Sequence, residues 1–204
     1  LAFILIAICQ AGCAKKDNGM KKVVLNEVAH SIFYAPQYVA IEMGYFKDAG
    51  IDLVLETGFG ADKTMTALIS GNADIGFMGS ESTIYAYAEG SKDYAVNFAG
   101  LTQRAGNFLV AREKIDNFSW DMVKGKNVLG GRKGGMPQMV LEYILKANNI
   151  DPASDLSIDQ SVDFGLTAGA FSGNTEYDFT VEFEPGATSL EKEGKGYVVA
   201  SLGV

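Results

Sequence analysis

Three carboxylates stand where strands are predicted to end: Glu81 follows one predicted strand, and Glu182 and Glu184 lie at the end of another. Buried carboxylates need hydrogen-bond donors, so they suit an amino-substituted heterocycle or another donor-rich or cationic ligand. A sulfonate or nitrate would be repelled unless arginines met it. His30 and Tyr34 follow the first predicted strand, where an aromatic ring can stack on a ligand. The alternatives are solvated or salt-bridged glutamates and a structural histidine.

Loops rich in glycine and serine would complete this pocket, because they offer hydroxyls and free backbone N–H groups. The loop before Pro137 also opens a predicted helix, whose N-terminus favours anions or acceptor atoms. Ser80 has the alternative role of helix cap, and Arg132 and Lys133 are interpreted as solvated. The other predicted ligand-binding residues are Ser31, Gly60, Ala61, Gly79, Ser80, Gly134, Gly135 and Met136.

Catalytic and metal chemistry have little support in these residues. The single histidine has no accompanying nucleophile elbow, and one histidine with two cysteines makes a zinc cage untenable. The segment Gly58–Thr64 has Asp62 where a phosphate loop needs glycine. We therefore expect a binding protein with no catalytic residues, no metal and no cofactor.

Alternating strands and helices must position these loops, which predicts an α/β fold with mostly parallel sheets covered by helices. Parallel α/β sheets bind ligands at the carboxyl ends of their strands. A division into two units near Leu101–Leu109 is the simplest interpretation. The predicted strands are 23–26, 51–56, 73–78, 95–102, 108–111, 128–129, 156–159, 178–182 and 197–202, and the predicted helices are 36–43, 62–70, 81–89, 119–123, 137–148, 168–171 and 185–193.

Composition limits the possible partners. With 48% hydrophobic and 21% charged residues, the 204-residue chain has the balance of a globular protein. Its net charge of -8 and the absence of a basic cluster argue against nucleic acid.

The first residues form an uncharged apolar run, Leu1–Ile8, with the size of a signal-peptide core. Small residues and then Cys13 follow, which resembles a bacterial lipoprotein signal. This predicts a signal peptide over 1–12, a lipid on Cys13 and a linker over 13–20. The alternative is a buried N-terminal element with a chance cysteine. We expect both ends of the sequence to be truncated.

Four blocks resemble the NMT1/THI5-like and sulfonate/nitrate/taurine-type solute-binding proteins: 35–47, 50–53, 71–81 and 130–137. The resemblance implies a periplasmic-binding-protein-like (type II) fold with two lobes, 21–103 and 104–197, and the start of a return to the first lobe over 198–204. It also implies a monomer outside the cytoplasm that delivers a small molecule to an ABC permease.

The resemblance leaves the ligand open. Pyrimidine precursors of thiamine fit the acidic and aromatic residues, and sulfonate, taurine or nitrate is the alternative. Another class is an enzyme of the THI5 type, which makes the thiamine pyrimidine with a histidine, here His30, and pyridoxal phosphate. A membrane-attached sensor domain is a third hypothesis.

Overall fold

A three-stranded parallel sheet forms the first half of the computed structural model, which describes residues 19–104 and 106–203. Its strands are β1 (Lys21–Glu27), β2 (Ile51–Thr57) and β3 (Ile75–Phe77), in the order β2-β1-β3. β1 pairs with β2 from Lys21↔Ile51 to Glu27↔Thr57, and Leu25 pairs with Ile75 of β3. This register brings the carboxyl ends of all three strands to one edge.

Four helices accompany this sheet: α1 (Ala35–Glu42), α2 (Tyr45–Asp48), α3 (Ala61–Ile69) and α4 (Glu81–Ala88). A 3₁₀ turn over Ile32–Tyr34 precedes α1, and the Ser31 hydroxyl caps it by accepting from the Phe33 N–H. Gly44, with a φ of 79°, separates α1 from α2 in a left-handed conformation that favours glycine. No element was predicted between the helix over 36–43 and the strand over 51–56, so α2 was missed.

The second sheet has five strands in the order β6-β5-β7-β4-β8. β5 runs parallel to β6 and β7, whereas β4 is antiparallel to β7 and β8, so this sheet is mixed. The strands are β4 (Asn107–Ala111), β5 (Asn127–Leu129), β6 (Ser157–Asp159), β7 (Phe179–Phe183) and β8 (Tyr197–Ser201).

Two apolar cores cover opposite faces of the second sheet, because neighbouring residues of β4 alternate between them. Leu109 belongs to a core with Leu141 and Leu145 of α5 (Met136–Ala147). Val110 belongs to a core under α6 (Thr167–Gly173) and α7 (Gly186–Lys192). A 3₁₀ turn over Trp120–Val123 packs the indole of Trp120 against the first of these cores.

The α/β fold and most of the predicted elements are confirmed. The strand predicted over 95–102 is wrong: this segment has no ladder partner among the described residues and stays irregular. Ser119 precedes its 3₁₀ turn without a side-chain capping bond. Residues 198–204 were expected to begin a return to the first unit, but Tyr197–Ser201 pairs with β4 of the second sheet.

Candidate functional site

A cleft of about 970 Å³ has walls from both sheets. On the first side, Val28 follows β1, while Met78 and Gly79 follow β3. On the second side lie Met136 and Pro137, at the start of α5. The cleft therefore meets the carboxyl ends of parallel strands and a helix N-terminus, which is where α/β sheets commonly bind ligands.

Aromatic rings line the cleft, and five of them form a series of contacts that joins its two sides. The rings of Phe33 and Phe183 have centroids 5.3 Å apart, and Phe164 lies 5.1 Å from Phe183. Tyr34 and Phe77 extend this series on the first side, with centroids 4.3 Å apart. Such rings can stack on a flat ligand and bury it at little conformational cost.

Glu81 is the acidic group buried in this cleft. The residue is 5% exposed, and its Oε1 atom has no hydrogen-bond partner. Burial raises the pKa of the carboxyl, while the backbone N–H groups of Glu81 itself and of Met136 oppose the rise. Glu81 begins α4 and Met136 begins α5. The pKa of this carboxyl therefore depends in part on a backbone N–H group from the opposite side of the cleft.

Gly79 lies so close to the Glu81 carboxylate that a residue with a side chain would not fit there. A Cβ atom at Gly79 would collide with the Glu81 carboxylate, so glycine leaves room for it. Ser80 precedes α4 and lines the cleft, but its side chain makes no capping bond. The Ser82 hydroxyl is buried and has no hydrogen-bond partner, so it does not cap the helix either.

Most of the predicted ligand-binding residues meet in the cleft, and some do not. The residues that line it are Tyr34, Gly60, Ala61, Gly79, Ser80, Glu81, Gly135 and Met136. Gly134 lies outside the lining, and its N–H donates to Gln138. Burial, followed by the charge of Glu27, raises the pKa of Tyr34 well above its ordinary value.

His30 and Ser31 lie on the other side of α1. They line a shallow groove with Ile32, Tyr38 and Val39. The side chain of His30 is 70% exposed, its Nδ1 lies 3.0 Å from a carboxylate oxygen of Glu27, and its ring packs on Tyr38. The structure therefore separates this histidine from Glu81 and the cleft.

Glu27, which the sequence analysis did not single out, is fully buried at the end of β1. Gln37 donates to it at 2.8 Å, the Tyr38 hydroxyl at 2.9 Å and the Thr57 hydroxyl at 3.4 Å. With His30, these side chains form a cluster that we call the Glu27 cluster. The only sequence signal for it is an acidic residue at the end of an apolar strand.

The two remaining predicted glutamates lie outside the lining of the cleft. Glu182 is buried beside α6 and accepts from Thr167 at 3.0 Å and Thr180 at 2.7 Å. Burial raises the pKa of Glu182 from 4.5 to about 7, although both hydroxyls lower it. Glu184 is exposed and accepts from the backbone N–H and the hydroxyl of Thr188 at the start of α7.

Arg132 is not a solvated residue, contrary to the expectation from sequence. Its side chain is 21% exposed and lines the cleft. The guanidinium donates to both carboxylate oxygens of Asp62 at 2.8 Å and also to Asp163. Asp62 lies in α3 and Asp163 follows β6, so this contact joins the two units.

Residues 19–104 and 106–203 contain no group of three or more His, Cys, Asp or Glu side chains suited to a metal ion. In the same ranges, no helix is long and apolar enough to cross a membrane. The predicted signal peptide over 1–12, the lipid on Cys13 and most of the predicted linker lie outside the described residues.

Comparison with known proteins identifies the type of chain. The model of the family described as "NMT1/THI5 like" matches residues 32–183. YtlA of Bacillus subtilis (strain 168), provisionally described as a binding protein, is 50% identical over 201 residues. That alignment covers 98% of this chain and 59% of YtlA, so the chain spans about three fifths of this curated relative.

Solved structures share the fold at low identity. The alkanesulfonate-binding protein SsuA from Xanthomonas axonopodis pv. citri, bound to MOPS, matches with a TM-score of 0.64 and 16% identity, over 89% of this chain and 60% of SsuA. The periplasmic nitrate-binding protein NrtA from Synechocystis PCC 6803 matches with a TM-score of 0.64 and 19% identity, over 88% of this chain and 51% of NrtA. At these identities, the similarity concerns the fold alone.

Proposed function

The chain belongs to the NMT1/THI5-like family, and from this premise we propose that it is part of a solute-binding protein of an ABC-type importer. The ligand would be a small nitrogen-containing heterocycle, similar to a pyrimidine precursor of thiamine. The cleft between the two sheets would hold it without chemical change.

The observation that carries this proposal is the unpartnered Oε1 of Glu81 in a cleft lined by aromatic rings. A buried polar atom without a partner costs free energy, so such an atom in a native protein calls for an explanation. An amino group or ring N–H of a ligand would supply the missing donor. The rings of Tyr34 and Phe183 line the same cleft and would cover the flat faces of such a ligand.

Anions fit this cleft less well. Arg132 lines it, but two aspartates already accept from its guanidinium. Glu81 adds a carboxylate that would repel a second anion at short range. The alternative ligand class, a sulfonate, taurine or nitrate, is favoured by the ligands in the names of SsuA and NrtA. The binding experiment below decides between the classes.

The mechanism we propose is closure of two lobes, 21–103 and 104–197, around the ligand. A ligand that contacts both sides of the cleft stabilises the closed arrangement through its differential affinity for it. The closed protein would then deliver the ligand to a membrane permease. We further propose that it works as a monomer outside the cytoplasm, attached to the membrane by a lipid on Cys13.

A binding experiment on the full-length protein tests this function. Melting temperature and titration calorimetry would be measured with 4-aminopyrimidine derivatives, methanesulfonate, taurine and nitrate. A ligand that binds only the folded state raises the melting temperature. We expect binding of an aminopyrimidine and a loss of about tenfold or more in affinity for Glu81→Gln, because the variant removes the charged acceptor.

Glu89→Gln is the matched control, because Glu89 is exposed just beyond the other end of the same helix. It should leave the affinity unchanged. Binding of sulfonate or nitrate alone would retain the transport function and overturn the heterocycle assignment. An affinity unaffected by Glu81→Gln would overturn the role of this carboxylate.

A further inference from the structure

Four charged side chains form one network across the cleft, which we call the charge quartet: Asp62, Lys63, Arg132 and Asp163. Arg132 binds Asp62 through two hydrogen bonds of 2.8 Å and also binds Asp163. The ammonium group of Lys63 lies 3.2 Å from both oxygens of Asp163. Two members begin α3 beside the first sheet, and the other two come from loops after β5 and β6.

The position of Arg132 makes this network relevant to ligand choice. Among the described residues, the cationic side chains that line the cleft are Arg104 and Arg132. A guanidinium binds planar or tetrahedral oxyanions through paired N–H groups, and a carboxylate uses the same paired groups. Here Asp62 occupies one such pair, formed by Nε and one terminal nitrogen, and Asp163 accepts from the other terminal nitrogen.

The backbone near α3 accommodates this pairing. A Cβ atom at Gly60 would lie 2.7 Å from Arg132 Nε and would also collide with Asp62, so glycine leaves space for the guanidinium and carboxylate. The Arg132 hydrogen bond is the largest cause that lowers the pKa of Asp62, and the same contact raises the pKa of Arg132. Both groups therefore carry their charges at neutral pH.

We propose that Asp62 and Asp163 are specificity-determining residues that exclude small oxyanions from the cleft by occupying the guanidinium of Arg132. The two carboxylates take the positions that a sulfonate would take on Arg132, so this guanidinium offers no free pair of N–H groups to an anion. This inference rests on the proposed function, because it concerns the ligand class of the same cleft. It assigns Asp62 and Asp163 a role that does not require direct contact with the ligand.

The test is a titration of methanesulfonate into the full-length protein and its Asp62→Asn/Asp163→Asn variant. We expect the variant to bind the anion at least about tenfold more tightly than the unmodified protein, because the guanidinium becomes available. Adding Arg132→Gln to this variant should abolish the gain. Asp62→Asn alone should give a smaller gain, and it serves as the second variant if the double substitution prevents folding.

A matched control, Asp52→Asn/Asp93→Asn, changes the net charge equally at two exposed positions. It should leave methanesulfonate binding as weak as in the unmodified protein. An equal gain in this control, or no gain in the Asp62 and Asp163 variants, would overturn the inference. The aminopyrimidine titration tests the proposed ligand, and the methanesulfonate titration tests the role of the aspartates. Either result can be negative while the other is positive, so the two proposals are distinguishable.

Discussion

Two buried glutamates at the same edge of the first sheet contrast in their surroundings. Glu27, at the end of β1, contacts donors from Gln37, Tyr38 and Thr57 as well as the His30 ring. Glu81, just beyond β3, is almost as buried but keeps an oxygen without a partner. Burial alone therefore does not distinguish a structural carboxylate from one available to a ligand; the supply of donors does.

The largest effect should come from Glu27→Gln. The amide replaces an accepting oxygen by a donor that faces other donors, so several charged hydrogen bonds are lost together. We expect the free energy of unfolding to fall by about 3 kcal/mol. Urea denaturation followed by circular dichroism measures it. A loss below that of Tyr38→Phe would contradict the assignment of the Glu27 cluster as structural.

A comparable effect should appear in the pH dependence contributed by Glu182. Its pKa is raised from 4.5 to about 7 by burial, so the folded state holds a proton that the unfolded state releases. Its contribution to stability is present below about pH 4.5 and is lost as the pH rises to about 7, a change of about 3 kcal/mol.

Glu182→Gln should remove this component, so the difference in unfolding free energy between the two proteins should change over that pH range. Glu184→Gln is the control, because that carboxylate is exposed. A difference that stays constant with pH would show that Glu182 keeps an ordinary pKa.

A smaller loss should follow Tyr38→Phe. The Tyr38 hydroxyl donates to Glu27 and accepts from the Ser31 N–H at 3.0 Å, and the variant removes both bonds. We expect a loss of about 2 kcal/mol in unfolding free energy. Tyr45→Phe, at an exposed position of α2, should be nearly neutral in the same denaturation experiment. Equal losses of stability in Tyr38→Phe and Tyr45→Phe would mean that the hydrogen bond to Glu27 adds little, and that Glu27 differs less from Glu81 than the structure indicates.

The smallest effect should be a gain. Glu81→Gln removes a charge that is buried without full compensation, so the ligand-free protein should become more stable by about 1 kcal/mol at pH 7. The same substitution at Glu27 has the opposite sign, which makes the pair a direct test of the comparison. If Glu81→Gln destabilises the ligand-free protein, the Glu81 carboxylate stabilises the fold as that of Glu27 does, and the contrast between the two is wrong.

Local patterns predicted the parts of this molecule that depend on nearby residues. Alternation over Ile51–Glu56 predicted β2, and the position of Glu81 just after an apolar strand predicted an acidic residue in the pocket. The segment 95–102 shows the limit of such patterns. A strand needs a partner that supplies a hydrogen-bond ladder, and the described residues provide none there.

Interactions between distant residues were not predictable in this way. Arg132 donates to Asp62, 70 residues away along the chain, and to Asp163, 31 residues away. The sequence around Arg132 does not predict either partner. Glu27 obtains its donors from residues 10, 11 and 30 positions along the chain. His30 and Tyr34 lie in the same short loop, yet a 3₁₀ turn sends them to different sides of α1.

The location of Trp120 gives the molecule a built-in optical reporter. It is the only tryptophan, and its ring, 5.3 Å from that of Phe118, packs against one core of the second sheet. Indole emission should therefore follow the melting of that core alone. The part of the chain that forms the first sheet contains tyrosines but no tryptophan, and its unfolding is visible in circular dichroism. Superimposable emission and dichroism curves would mean that the two units unfold cooperatively, and separate curves would resolve them without any label.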